Sequence, residues 1–338
     1  MKLSNALTAL AFSISMPFAA CAHAAPVAAP AAQKPYDPTT PSAADAPVAL
    51  PQGPALPAAV KADASLAGGG KSFLWEVKSK TNVVYLFGTI HVGKRAFYPL
   101  AAPVEAAFDR SERLVVEADI SNNDGMADID KIINYKAPDS LDKHIPAPLF
   151  GRLKTQLVRL QVPLDAVKPM KPYLIAGFLS IAEFSRLGYD MNLGVDGYLL
   201  ARAKDVNKAV LELESQAGQL KMLDAMSPAL QEAFLDNAIS VLESGRAPDQ
   251  VTGIVNAWQS GDVKLMQDVN ATVNKGMRMT DQLDDVLLYS RHDAMLKKIG
   301  TYLEGGTPHF IAVGSLHLIG PRGLIELLRA KGYEVKQL

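Results

Sequence analysis

Val83-Val84-Tyr85-Leu86-Phe87-Gly88-Thr89-Ile90-His91-Val92 decides the fold, because it returns near the other end as Phe310-Ile311-Ala312-Val313-Gly314-Ser315-Leu316-His317-Leu318. Each copy is an apolar run followed by G-[ST]-[IL]-H-[VL], and the two histidines stand 226 residues apart. The runs read as strands, and the pattern looks like one structural device used twice. In open α/β sheets, ligands bind beyond the carboxyl ends of the strands. Glycine permits a tight exit there and a close backbone approach, so Gly88 and Gly314 are candidate binding positions. A histidine three residues on is held on a short turn. Two such turns aim His91 and His317 into one cleft, where imidazoles ligate metals or move protons near neutrality.

Working outward, Phe73–Val77 reads as a strand that turns at Lys80-Thr81-Asn82 into Val83–Phe87. A helix is expected over Pro103–Arg110, with proline in its first turn, and a buried strand over Arg113–Ala118. The middle is mostly helical. Helices are predicted over Pro148–Leu160, Tyr173–Arg186, Val195–Asp205, Ser215–Leu223, Pro228–Leu242, Asp249–Gln259 and Leu283–Leu303, with one strand, Ala209–Leu213, among them. A strand His309–Val313, a helix Arg322–Lys331 closed by Gly332, and a strand Tyr333–Lys336 end the chain. The expected class is α/β (α+β): a mixed sheet with two strand–GxxH turn units and a large helical middle, about residues 121–305 of a 71–338 domain.

A metal site or an acid/base pair needs a carboxylate as well. Glu117 ends the apolar run Leu114-Val115-Val116, so it too sits at a strand's carboxyl end. Glu212 and Glu214 flank Leu213 after another strand and share a side by alternation, with Glu214 nearer the loop. Asp196 begins a helix, where aspartate usually caps. Arg291, in Arg291-His292-Asp293 of the long predicted helix, is suited to neutralise a substrate oxyanion or a buried carboxylate, although a solvated helix face is the commoner fate of such a residue. His144 and His309 have no partner pattern and read as structural. The chain has no G-x-S-x-G elbow, no H-E-x-x-H, no P-loop and no G-x-G-x-x-G.

Composition narrows the classes. A net charge of −1 over 338 residues, with no lysine and arginine cluster, argues against nucleic acid as a partner. The single cysteine, Cys21, rules out a disulfide within the chain and a cysteine-based zinc centre, which leaves histidine and carboxylate as metal ligands. Residues 1–24 read as a signal peptide: Lys2, an apolar Leu7–Phe18, and Ala22-His23-Ala24 for cleavage after Ala24. Lipidation at Cys21 is the alternative and the one membrane anchor considered, but Phe18 fits a lipobox poorly. Residues 25–70 hold 9 of the 22 prolines and 15 alanines, which marks a disordered linker. The chain is thus expected to be exported, periplasmic or secreted.

Leu86–Gly93, Leu114–Glu117, Leu193–Asp196, Val313–Leu324 and the closing Leu327–Val335 together resemble the TraB/GumN family, in order, over about residues 72–338. The resemblance implies a fold related to the Tiki proteases, the erythromycin esterases and a haem-binding bacterial lipoprotein group. From the Tiki proteases it implies a metal on His91, His317 and Glu117, and Mn²⁺, Co²⁺ or Zn²⁺ would each suit such nitrogen and oxygen ligands. It further matches Glu214 and Asp196 to family positions, which makes Asp196 a binding candidate, while the family's Arg-Asn is Arg291-His292 here. The leading expectation is an exported metal-dependent hydrolase acting on peptides or small molecules, with Glu117 or Glu214 as ligand or base and Arg291 steadying negative charge. The alternatives are a non-catalytic peptide- or haem-binding or regulatory protein, and a metal-independent esterase with a histidine base.

Overall fold

The two Gly-x-x-His strands lie side by side. In the computed structural model, which describes residues 71–121 and 128–338, β2 (Val83–Thr89) pairs in parallel with β5 (His309–Gly314), Gly88 opposite Val313 and Thr89 opposite Gly314. β3 (Arg113–Val116) flanks β5 and β4 (Ala209–Glu212) flanks β3, both in parallel. β1 (Leu74–Lys78) pairs antiparallel with β2, and β6 (Glu334–Gln337) pairs antiparallel with β1, which completes the order β4-β3-β5-β2-β1-β6. The mixed sheet expected from the sequence is therefore present, and the carboxyl ends of β4, β3, β5 and β2 share one edge.

All six residues of β5 are buried, as a central parallel strand covered on both faces requires. Phe310 carries the packing: its ring lies 5.7 Å from Phe87 and 5.6 Å from Phe108, and Phe87 in turn meets Trp258 at 6.2 Å. A second apolar core lies in the helical middle, where Leu149, Leu153 and Leu157 of the helix Ala147–Arg159 join Ile175, Leu179, Leu235 and Ile239.

Local chemistry accounts for most helix ends. Ser215 and Ser227 accept bonds from the Gly218 and Leu230 N–H groups and start the helices Gln216–Asp224 and Pro228–Glu243 where the sequence places them. Gly332, at φ +86°, ends Leu324–Ala330 as anticipated. A helix over Val263–Asn274, capped by Asp262, stands outside the expectations.

Two expectations need correction. The helix predicted over Leu283–Leu303 is two helices, Thr280–Leu287 and His292–Glu304, parted at Leu288 (φ −127°, ψ −67°) by a 3₁₀ turn, Tyr289–Arg291. Asp196 does not cap its helix: Gly194 is the N-cap of Val195–Asp205, and the Asp196 carboxylate turns away to side chains of β2 and its turn. Residues 1–24 and the linker 25–70 lie outside the described residues. Among the described residues no helix is long and apolar enough to cross a membrane.

Candidate active site

Each of the four parallel strands delivers one candidate residue to the shared edge: β2 leads to His91, β5 to His317, β3 to Glu117 and β4 to Glu214. Asp196 arrives on the helix Val195–Asp205, while Arg291 and His292 arrive at the break between the last two long helices. All but Glu214 are buried. Arg291 is only 5% exposed, so the solvated helix face is excluded for it.

The first turn is clamped to the Gly-Val-Asp segment. The Val195 N–H donates to Ile90 O, and Gly93 and Asp190 exchange backbone bonds at 2.9 Å. A Cβ on Gly194 would lie 2.5 Å from His91 O, so glycine is required for this approach. The clamp brings the Asp196 carboxylate to two partners. Its Oδ1 accepts from the Thr89 hydroxyl at 2.7 Å, and its Oδ2 lies 2.6 Å from His91 Nδ1. A carboxylate only accepts, so Nδ1 carries the proton and donates, and in the neutral ring Nε2 bears the lone pair. That Nε2 is buried and has no hydrogen-bond partner among the described residues. Burial by itself lowers the His91 pKa, but the Asp196 carboxylate, aided by Glu117, raises it above the ordinary histidine value.

Arg291 organises the second half. Its Nη2 donates to Glu117 Oε1 and Glu214 Oε2, its Nε to both Glu214 oxygens at 3.0 and 3.1 Å, and its Nη1 to Leu287 O at 2.8 Å and His317 Nε2 at 3.1 Å. A guanidinium has donors only, so His317 Nε2 accepts and its Nδ1 carries the proton. That proton is donated to His292 Nε2 at 2.9 Å, and His292 Nδ1 donates to Arg322 O at 2.8 Å. The relay therefore fixes both tautomers. Burial holds both rings below the ordinary histidine pKa, against the pull of Glu117 on His317; His292, disfavoured further by His317, falls to about 3. Glu117 also accepts from the Gly314 N–H at 3.0 Å and Gln219 Nε2 at 2.9 Å. Burial would raise its pKa, but the Arg291 guanidinium holds it well below the usual carboxylate range.

The sequence reading thus finds His91, His317, Glu117, Glu214, Asp196 and Arg291 assembled at one edge. Gly88 lies where a Cβ would meet Ser315 Oγ at 2.9 Å, so it lets the two turns pack, and Gly314 supplies its N–H to Glu117. Glu212 is turned aside to the Asp119 N–H at 2.7 Å. His144 pairs with Asp139 at an exposed surface, and His309 Nδ1 bonds Thr307 O at the far end of β5. Sequence reasoning missed Gln219, which donates to both Glu117 and Glu214 (2.9 and 3.1 Å), and Trp258, whose indole N–H donates to Gly88 O at 2.7 Å. It also left His292 without a role.

A divalent ion on His91, His317 and Glu117 does not fit this arrangement. His91 Nε2 is an available donor, but His317 Nε2 and both glutamates are engaged by Arg291. Among the described residues no three histidine, cysteine or carboxylate side chains form a group that could hold a metal ion.

The chain is 27% identical to YbaP of Escherichia coli (strain K12), an uncharacterized protein, over 72% of this chain and 87% of YbaP. It is 26% identical to the metalloprotease TIKI1 of Danio rerio over 78% of this chain and 63% of the relative, and 24% identical to human TIKI1 over 78% and 61%. The chain thus spans about three-fifths of the Tiki relatives' length. No solved structure matches. With the family model matching residues 73–337, a stretch that holds both Gly-x-x-His turns and the carboxylates beside them, the chain belongs to the TraB/PrgY/gumN family.

Proposed function

We propose that this chain is a hydrolase in which His91 acts as general base on a water molecule, with peptides as the substrate class. The observation that carries the reading is His91 Nε2, a buried lone pair with no partner, on a ring whose other nitrogen is fixed by Asp196. Such a nitrogen is oriented, strengthened as a base and free to take a proton from water. Asp196 then balances the charge formed on the ring, and Thr89 holds the other carboxylate oxygen in place. Glu117 and Glu214 do not serve as the base here, because Arg291 takes up both Glu214 oxygens and Glu117 Oε1, and the Gly314 N–H takes up Glu117 Oε2. Of the two roles the sequence offers Arg291, neutralising buried carboxylates is the one the geometry supports. The peptide class rests on the Tiki relatives, which are named metalloproteases. With residues 1–24 read as an export signal, the reaction belongs outside the cytoplasm.

The metal-dependent hydrolase is the second reading. The same Nε2 of His91 favours it, since a ring held at Nδ1 by a carboxylate is a common metal ligand. It requires Arg291 to release Glu117 and His317. Peptide hydrolysis by the purified chain in a strong chelator decides between them. Activity that persists with chelator and falls by roughly 100-fold or more in His91→Gln supports the unassisted base. Activity lost to chelator and restored by Mn²⁺, Co²⁺ or Zn²⁺ transfers the function to the second reading. Unchanged turnover in His91→Gln sinks both.

A further inference from the structure

Glu117 and Glu214 face one cation, and that cation belongs to the protein. The Arg291 guanidinium bonds both carboxylates and points Nη1 at the lone pair of His317. The groups around it are oriented from behind. Glu117 is held by the Gly314 N–H and by Gln219, which also reaches Glu214. His317 gives its one ring proton, on Nδ1, to His292 Nε2. Two carboxylates and an imidazole, each fixed by an outer hydrogen bond, are the donor types that a hard-to-borderline divalent ion takes, although among the described residues they are not gathered into a group that could hold one. The guanidinium lies among them and bonds all three.

We propose that Arg291 is a built-in substitute for a divalent cation, and that Glu117, Glu214 and His317 close around a metal ion only when the guanidinium is absent. In the intact chain the side chain excludes metal by charge and by occupancy. Removing it leaves the buried Glu117 carboxylate and the partly buried Glu214 carboxylate with no cation between them, an arrangement that favours uptake of one. The inference concerns the same site as the proposed function but not its turnover. A chain that hydrolyses nothing still tests it, and a metal-binding wild type leaves the His91 base to be judged by its own assay.

The experiment is titration of the full chain with Mn²⁺ alone, followed by the electron paramagnetic resonance of the free ion. Arg291→Met is expected to bind Mn²⁺ roughly 100-fold or more tightly than the wild type, the scale on which losing one partner shifts a buried ion pair. Arg291→Lys, which keeps the charge, is expected to follow the wild type, and adding Glu214→Gln to Arg291→Met is expected to abolish the gain. Should the methionine not fold, Arg291→Gln drops the charge and keeps a hydrogen-bond donor. Equal Mn²⁺ affinity in the wild type and the uncharged variant, whether tight or absent, overturns the proposal. So does tight stoichiometric binding by the wild type.

Discussion

His317 Nδ1 lies 2.9 Å from His292 Nε2, and the direction of that bond is set from its two ends: Arg291 can only donate at one and Arg322 O can only accept at the other. Both rings are thereby committed to the neutral form. Their folded pKa values are depressed, so between the ordinary histidine value and the folded value the unfolded chain binds more protons. The stability they contribute is complete above about pH 6.5 and is lost as pH falls from there, toward about 3 for His292. Each ring sets a slope of at most about 1.4 kcal/mol per pH unit. Denaturant midpoints from pH 7 to 5 are expected to fall in the wild type and to fall less steeply in His292→Asn, which removes one of these titrations. Equal slopes would show that His292 is not held neutral.

The His91–Asp196 pair makes a different prediction. In Asp196→Asn an amide is placed beside His91 Nδ1 and can donate to it, which moves the ring proton to Nε2 and removes the base. Turnover is expected to fall by roughly 10²–10⁴. A purely structural role for Asp196 would leave the ring tautomer unchanged, so ¹⁵N chemical shifts of His91 give a readout independent of activity. In the wild type the raised pKa implies that kcat/KM climbs with pH through an inflection above the ordinary histidine range, because the ring must be neutral to accept a proton. An inflection below that range would contradict the stated effect of Asp196.

Much of this site was legible in the sequence, and the parts that were not share a cause. The two Gly-x-x-His turns announced themselves because strand, glycine and histidine recur in one order. Glu117 was legible as the polar end of an apolar run, and Asp196 was noticed but read as a cap. The exit of its carboxylate from the helix depends on Gly194 and Gly93 lying against the 91–94 and 190–194 backbones, a tertiary contact with no local signal. The break at Leu288 was hidden for the same reason. Apolar spacing continues through Leu283, Leu287, Leu288, Met295, Leu296 and Ile299, all of them buried, so the period is satisfied by a straight helix as well as by a broken one. His292 was lost with the break. Gln219 looks like any polar residue of a helix until Glu117 and Glu214 are seen to share it.

The glycine clamp is testable by a matched pair. A Cβ at Gly194 would lie 2.5 Å from His91 O and 2.9 Å from His91 C, backbone atoms that no rotamer change can move. Gly194→Ala is expected to cost about 1–3 kcal/mol and to weaken hydrolysis by displacing Asp196. Three residues on, Gly197 lies in the same helix with nothing within 4 Å of a new Cβ. Gly197→Ala is expected to stabilise the chain by about 0.5–1 kcal/mol through helix propensity alone. Thermal unfolding of the two variants tests the contrast, and comparable shifts in the same direction would refute the clamp.

The two glutamates around Arg291 should not be equivalent. Glu117 is 2% exposed and its oxygens accept from Arg291, Gln219 and the Gly314 N–H, whereas the Glu214 side chain is 19% exposed. Neutralising Glu117 leaves the guanidinium with one partly hydrated counter-charge, in a place where losing a buried ion-pair partner costs about 3–5 kcal/mol. At Glu214 water is close enough to screen the lost charge, so the expected cost is nearer ~1 kcal/mol. Glu117→Gln retains shape and acceptor but not charge, so a large loss in that variant measures electrostatics rather than packing. Chemical denaturation of Glu117→Gln and Glu214→Gln at pH 7 is expected to give that order. The reverse order would mean that Glu214, nearer solvent, is the principal partner of Arg291, and that Glu117 is held mainly by its hydrogen bonds to Gly314 and Gln219.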